Sequence, residues 1–283
     1  MNKLTTEKRA EIVTLMVEGM SVRAICRTTG RSKGTVLRLL VDMGNVCRQY
    51  HDLLVRNVPS KRIQCDEVWS FNYCKEKNLP NSKVMPDMAG SVWTWTAICA
   101  DTKLMVSWMV GLRDAVYANE FVQDLCDRLA NRIQLTTDGL RLYLEAVEHA
   151  FRGYVDYAIL NKLYAENVDT KTKAIGNEGI VKQNKVGDPD EDHISTSYVE
   201  RSNLSLRMGL RRFTRLTNAH SKKFENHEAA INLFYFHYNF CRPHETLRGR
   251  TPAMAARLTD CIWSARNLVE LLENEEQRQC DNN

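Results

Sequence analysis

The chain has 283 residues, of which 43% are hydrophobic and 26% are charged, and its formal net charge is +4. This length accommodates one large domain with a small appendage, or two ordinary domains, with a sizeable core. The charge is too small for bulk electrostatics to indicate a nucleic-acid partner, so local clusters of charge carry more information.

The nine cysteines are dispersed, without a CxxC pair or a nearby pair of histidines. This spacing argues against a structural zinc site and is typical of free thiols in a reducing compartment. The first residues, MNKLTTEKR, lack the apolar segment of a signal peptide, and no window approaches eighteen uncharged apolar residues. We therefore expect a cytoplasmic protein without a membrane partner.

Residues 1–45 have the spacing of a helix-turn-helix domain. Serine and threonine caps and glycine breaks predict helices over 7–18, 22–28 and 33–43. Small polar and basic side chains near the exposed start of the third helix suit phosphates and base edges in a major groove. These are Arg31, Ser32, Lys33, Thr35 and Arg38. A trihelical protein-interaction bundle has the same spacing, but these side chains favour DNA binding. Residues 46–60 are predicted to be a linker.

From residue 61 the pattern changes to strands alternating with helices. Strands are predicted at 63–71, 92–100, 104–110, 133–138 and 155–164, and helices at 115–131 and 140–151. The first three strands form an antiparallel meander. The order predicts an α/β domain over 61–258 with a mixed, five-stranded, ribonuclease H-like sheet and flanking helices. Residues 165–193 are predicted to be a polar loop, and 259–283 a C-terminal helix with an acidic tail.

Two carboxylates fall where this topology brings strands together. Asp66 lies midway along the first strand, and Asp138 lies at the carboxyl end of the fourth. Because these strands are neighbours in the fold, the two side chains can share a hard divalent cation. Asp138 taken alone is explained as a turn residue or helix cap. Alternation places Glu67 on the opposite face from Asp66, which indicates a solvated or ion-paired side chain.

Residues 194–215 are predicted to form a basic amphipathic helix. Glu200 is its only carboxylate, and Asn203, Arg207 and Arg211 share its face at 100° per residue. A lone acid beside a row of guanidinium groups suits a nucleic-acid substrate. A solvated amphipathic helix is the simpler interpretation of this stretch taken alone.

The strand tryptophans, Trp69, Trp93, Trp95 and Trp108, alternate with other residues. This pattern predicts core side chains rather than platforms for stacking bases.

Six motifs in this order resemble the DDE-type insertion-sequence transposases, in particular the insertion-sequence-one-like family, over nearly the whole chain. They are QCDEVWS at 64–70, VWTWTA at 92–97, LTTDG at 135–139, STSYVERSNL at 195–204, RRFTRLTN at 211–218 and YNFCRPH at 238–244.

The resemblance implies that Asp66, Asp138 and Glu200 are a catalytic, metal-binding triad for two Mg²⁺ or Mn²⁺ ions. It also implies that the helix-turn-helix binds the terminal inverted repeats of an insertion sequence, and that strand cleavage and strand transfer follow. Asn203, Arg207 and Arg211 are candidates for DNA contact.

The implied partners are double-stranded DNA, as element ends and target, and further copies of the chain, in a nucleoid-associated assembly. Two alternatives stay open. One is a non-catalytic DNA-binding regulator or domesticated copy, and the other is a metal-dependent nuclease without strand transfer.

Overall fold

The computed structural model describes residues 3–164, 177–214 and 218–281. The helices are α1 (Thr6–Val17), α2 (Val22–Thr29), α3 (Lys33–Leu54), α4 (Ala115–Arg128), α5 (Leu142–Phe151), α6 (Ser197–Gly209), α7 (Phe224–Phe240), α8 (Pro252–Ala255) and α9 (Ala265–Asp281). The strands are β1 (Arg62–Asn72), β2 (Gly90–Cys99), β3 (Met105–Gly111), β4 (Gln134–Thr137), β5 (Asp156–Tyr164) and β6 (Asn177–Val186). Within these residues, no helix combines the length and the apolarity needed to cross a membrane.

Hydroxyl and carboxylate caps start several helices. The side chains of Ser21, Ser32 and Asp114 each accept a hydrogen bond from the backbone N–H three residues later, which satisfies one free donor of the first turn. The cap of α1 is Thr5, one residue before the predicted Thr6. Local sequence signals therefore locate these helix starts closely.

The sheet confirms the predicted fold class. Its strand order is β3-β2-β1-β4-β5-β6. The first three strands form the antiparallel meander, β4 lies parallel to both β1 and β5, and β6 is antiparallel to β5. Helices flank this mixed sheet, which is the ribonuclease H-like arrangement.

The sheet has six strands rather than the predicted five. Residues 177–186 form β6, an edge strand that pairs with β5 alone, so the prediction of loop throughout 165–193 is wrong for this part. An edge strand needs no continuous apolar pattern, and its polar composition resembles that of a loop. Residues 165–176 of the predicted loop lie outside the described residues.

The predicted linker is also corrected, because α3 continues to Leu54. A Cβ at Gly44 would lie 2.4 Å from the Cα of Ala229. The glycine lets α3 cross α7 at close range. The buried ring of His51, also on α3, is hydrogen-bonded to the carbonyl of Val106 on β3 at 3.0 Å.

The N-terminal helices share one continuous apolar core with the sheet and with α9. Ile12 of α1, Val36 of α3, Trp95 of β2 and Leu268 of α9 are all at most 1% exposed members of this core. Arg9 of α1 also forms a two-bond ion pair with Glu276 of α9, at 3.0 and 3.1 Å. The three N-terminal helices are therefore packed onto the rest of the described chain.

Candidate metal centre

Three carboxylates converge beside the parallel pair β1 and β4. Asp66 and Glu67 lie on β1, and Asp138 directly follows β4. One oxygen from each carboxylate lies within 4.8 Å of the other two. The structure thus brings together Asp66 and Asp138, which the predicted topology places on neighbouring strands, and it adds Glu67.

Asp66 is held from two sides. Its Oδ1 accepts a hydrogen bond from the backbone N–H of Glu67, and its Oδ2 accepts one from the Nδ2 of Asn203, both at 2.8 Å. Thr96 donates to the Oδ1 of Asn203 at 3.3 Å, which orients the amide. Burial, together with the charges of Asp138 and Glu200, raises the pKa of Asp66 to about 6. Asn203 on α6 therefore positions the Asp66 carboxylate.

Glu67 is the residue that the sequence pattern missed. Its carboxylate accepts bonds from Arg113, at 2.7 and 2.9 Å, and from the hydroxyl of Tyr143 at 3.2 Å. The predicted ion pair is confirmed, whereas the solvated alternative is wrong, because the side chain is 1% exposed. Burial, followed by the charge of Asp138, raises the pKa of Glu67 to about 7.

Strict alternation along β1 predicts that Glu67 and Asp66 lie on opposite faces of the sheet. Glu67 is therefore absent from the predicted site. The pairing of β1 with β4 runs only from Arg62 to Gln64, so the strand edge beside Asp66 is open where Asp138 follows β4. Side chains from both faces of β1 reach this edge. Two consecutive acids on the strand predicted to lie beside the one that ends at Asp138 were the available signal.

Asp138 also has the local contact of a turn residue, since its Oδ1 accepts the N–H of Leu140 at 3.0 Å. A Cβ at Gly139 would lie 2.1 Å from the Oδ1 of Asn161 on β5, so this side chain has to move when another residue replaces the glycine. Asp138 therefore combines a local turn contact with its place in the acid cluster.

Glu200 stands beside the cluster rather than inside it. Its carboxylate is ion-paired with Lys162 of β5 and accepts a bond from the hydroxyl of Thr196 at 2.6 Å. Its side chain is 43% exposed. Its charge is close enough to contribute to the raised pKa of Asp66.

The predicted basic helix ends earlier than expected, at Gly209. A Cβ at Gly209 would lie 2.6 Å from the ring of Phe234, so glycine permits close packing against α7. Arg207 lies in the last turn of α6, whereas Arg211 begins a separate 3₁₀ turn and is exposed. Arg211 is therefore not on the helical face of Glu200 and Asn203, and residues 215–217 lie outside the described residues.

The predicted DNA-binding residues of the first domain lie at the start of α3. Arg31, Ser32, Lys33 and Arg38 are exposed, and Thr35 is half-buried. The hydroxyl groups of Ser32 and Thr35 are 3.0 Å apart. The start of this helix is accessible, whereas its middle packs against α7 at Gly44, and its contact with DNA stays a prediction.

The donor set fits a hard divalent cation. Carboxylate oxygens are the ligands that Mg²⁺ and Mn²⁺ favour, and the ion pair of Arg113 with Glu67 only partly offsets the mutual repulsion of three carboxylates this close. The raised pKa values of Asp66 and Glu67 express this repulsion together with burial. Asp66, Asp138 and Glu67, with Glu200 adjacent, are the residues able to hold such an ion.

The strand tryptophans divide into two kinds. Trp95 and Trp108 are at most 1% exposed, as the prediction of core side chains requires. Trp69 and Trp93 are only half-buried, so the prediction is wrong for these two.

No protein-family model matches the chain, and no curated protein matches it. Among solved structures, the piggyBac transposase synaptic complex with hairpin DNA is 11% identical, with 97% of this chain and 74% of that chain covered and a TM-score of 0.38. The Mos1 strand transfer complex is 10% identical, with 96% and 78% covered and a TM-score of 0.32. A pre-cleavage Mos1 transpososome is 11% identical, with 97% and 79% covered and a TM-score of 0.31. All three are structures of transposases, at a similarity too distant to decide function.

Proposed function

We propose that the protein is a DNA transposase of the DDE type, in the insertion-sequence-one-like family. The observation that carries the proposal is the convergence of Asp66 and Asp138 from neighbouring strands, with Glu200 beside them at the start of α6. The ordered sequence motifs support the same assignment. In this proposal Asp66, Asp138 and Glu200 are the catalytic triad.

The proposed reaction is hydrolysis of one strand at the element end, followed by attack of the freed 3′-hydroxyl on a target phosphate. Bound Mg²⁺ or Mn²⁺ supplies activation of the attacking oxygen and stabilisation of the leaving oxygen. Asn203 and the N–H of Glu67 hold the Asp66 carboxylate in one orientation, which is the role of outer partners in metal sites. Lys162 neutralises Glu200 beside the cluster.

The DNA-binding part of the proposal rests on α3. Arg31, Lys33 and Arg38 at its exposed start contact phosphates and base edges of the terminal inverted repeats. Arg207 and Arg211 contact the DNA backbone nearer the acids. Two ends have to be processed together, so the active form is a homo-oligomer.

The test combines the protein, Mg²⁺ and a labelled duplex that carries the element end, taken from inverted repeats in the DNA flanking the gene. Asp66→Asn, Asp138→Asn and Glu200→Gln should each remove cleavage and joining, because each removes a ligand charge. The loss should exceed the roughly 10- to 100-fold effect typical of outer-shell partners. All three variants should bind the duplex in chelator as the parent does.

Glu145→Gln, at an exposed acid on α5, is the matched control and should retain activity. Triad variants that cleave and join like the parent contradict the assignment. Cleavage without joining identifies the nuclease alternative, and sequence-specific binding without cleavage by the parent identifies the regulator.

A further inference from the structure

Three half-buried aromatic rings, which we name the aromatic strip, lie beside the acid cluster. They are Trp69 and Phe71 of β1 and Trp93 of β2. Trp69 and Trp93 are direct cross-strand partners, and the ring centroids of Trp69 and Phe71 are 5.9 Å apart. Residues two apart on a strand, and directly paired residues, share one face of the sheet. The strip therefore presents its rings side by side.

Helices α4 and α5 cover this face of the sheet at one cross-strand pair of β1 and β2 but not at the next pair. Glu67 pairs with Trp95 in the register, and Trp95 is sealed by Phe121 of α4 and Tyr143 of α5, with centroids 5.9 and 5.6 Å away. The following pair on the same face is Trp69 with Trp93, which are only half-buried. Neither tryptophan belongs to the buried core, so part of each side chain is accessible to a ligand.

Positive charge borders the strip. The guanidinium of Arg113 lies 4.6 Å from the ring centroid of Trp93, and the ammonium of Lys75 lies 6.0 Å from that of Phe71. The carboxylate of Glu76 is engaged by the N–H of Ser91 at 2.7 Å. Aromatic rings interleaved with cations are the surface that stacks bases and attracts phosphates.

Arg113 connects the strip to the acid cluster. Its guanidinium donates two bonds to Glu67 while it lies over Trp93. Trp69 follows Glu67 by two residues on the same face of β1. A nucleotide whose base stacks on the aromatic strip would therefore lie next to a phosphate bound at the acid cluster.

We propose that the aromatic strip binds unpaired, single-stranded DNA next to the acid cluster, with bases stacked on Trp69 and Trp93 and phosphates near Arg113 and Lys75. This inference rests on the proposed function, since it assigns the strip to the strand that separates at the element end. The half-buried tryptophans, the adjacent cations and the link through Arg113 carry it.

The test measures binding of a fluorescein-labelled oligothymidylate by anisotropy, at low salt and in chelator so that no cleavage occurs. Trp69→Leu and Trp93→Leu should each weaken binding by roughly tenfold or more, since stacking contributes at this level per base. Trp69→Phe and Trp93→Phe keep a ring and should retain most of the affinity. Binding of the element-end duplex should change little.

Trp263→Leu is a matched control, because Trp263 is half-buried and donates its indole N–H to a hydroxyl at 3.1 Å, as Trp69 does at 3.2 Å. Folding of every variant is checked by circular dichroism and thermal unfolding. Leucine variants that bind like the parent, or an equal loss in Trp263→Leu, overturn the inference.

The two proposals fail separately. If the parent cleaves the element end but the leucine variants keep their affinity for single strands, the strip is not the binding surface and the transposase assignment stands. If the strip binds single strands but the parent does not cleave with Mg²⁺, the transposase assignment fails. The assignment of the aromatic strip as a surface that binds single-stranded DNA then still stands.

Discussion

The acid cluster buries carboxylates and places like charges close together, both at the cost of stability. The folded pKa of Asp66, about 6, lies above its ordinary value of 3.8, and that of Glu67, about 7, lies above 4.5. The folded state therefore binds more protons than the unfolded state between these values. Without a cation, the protein loses stability as the pH rises through the folded pKa values.

Asp66→Asn should consequently stabilise the metal-free protein. Each pKa unit corresponds to about 1.4 kcal/mol, and with allowance for partial solvation we expect a gain of about 1 to 2 kcal/mol near pH 8. The amide keeps the bond from Glu67, and Asn203 can rotate to accept from it while its own amino group faces Thr96. Urea unfolding in chelator measures the change.

The pH dependence distinguishes this cause from a packing effect. The gain should shrink by about pH 5, where Asp66 is largely protonated in the folded state. Buried histidines such as His227, whose pKa burial lowers to about 3, destabilise parent and variant equally in acid and cancel in the difference. Asp87→Asn, at an exposed acid, should change little. A variant no more stable than the parent at the higher pH contradicts the prediction.

For single residues, the sequence predicts a position best where the order of strands in the sheet determines it. The proximity of Asp66 and Asp138 follows from the adjacency of their strands. Glu67 was assigned by alternation, which fails at an open strand edge. Trp69 and Trp93 were assigned to the core because a strand pattern does not show where the covering helices end.

Among the elements, α3 combines two environments in one helix. Its start is exposed, and its later turns cross α7 where Gly44 nearly touches the backbone of Ala229. One continuous helix thus joins the predicted DNA-binding residues to the apolar core of the sheet. Residues 46–54 continue this helix because Cys47 and His51 are buried in the core and His51 is hydrogen-bonded to β3.

The two glycines of α3 should respond in opposite ways to alanine. Gly44→Ala places a Cβ 2.4 Å from the Cα of Ala229, and overpacking of this kind costs about 1 to 3 kcal/mol. Gly34→Ala meets nothing closer than the Oγ of Ser32 at 3.8 Å, so it should gain up to about 0.5 kcal/mol of helix propensity. Chemical denaturation compares them. Equal effects would mean that α3 does not cross α7 at Gly44.

Periodicity and capping predicted most of the elements, and β6 shows their limit. Its sequence, NEGIVKQNKV, has charged and polar residues because one edge and much of its surface face solvent. The early end of α6 has a different cause, since Gly209 lies against Phe234. Both features depend on neighbours that are distant in sequence.

Across the whole molecule, the N-terminal helices share an apolar core with the sheet and with α9. Gly19, in the turn between α1 and α2, approaches the end of α6 so closely that a Cβ would lie 2.8 Å from the carbonyl oxygen of Gly209. The C-terminal helix α9 seals the N-terminal helices through Leu268 and the Arg9–Glu276 pair. DNA bound at α3 would therefore have a fixed orientation relative to the acid cluster.

A shared core predicts that a defect in α9 lowers the stability of the entire protein. Leu268→Ala removes a side chain that is fully buried and should cost about 2 to 5 kcal/mol. Calorimetry should show one transition displaced to lower temperature, with tryptophan fluorescence from the sheet and helical circular dichroism changing together. Leu53→Ala, at a leucine that is 69% exposed, should leave the transition in place. A split transition, with the sheet signal unchanged, would mean instead that the N-terminal helices and α9 form a unit that unfolds independently of the acid cluster.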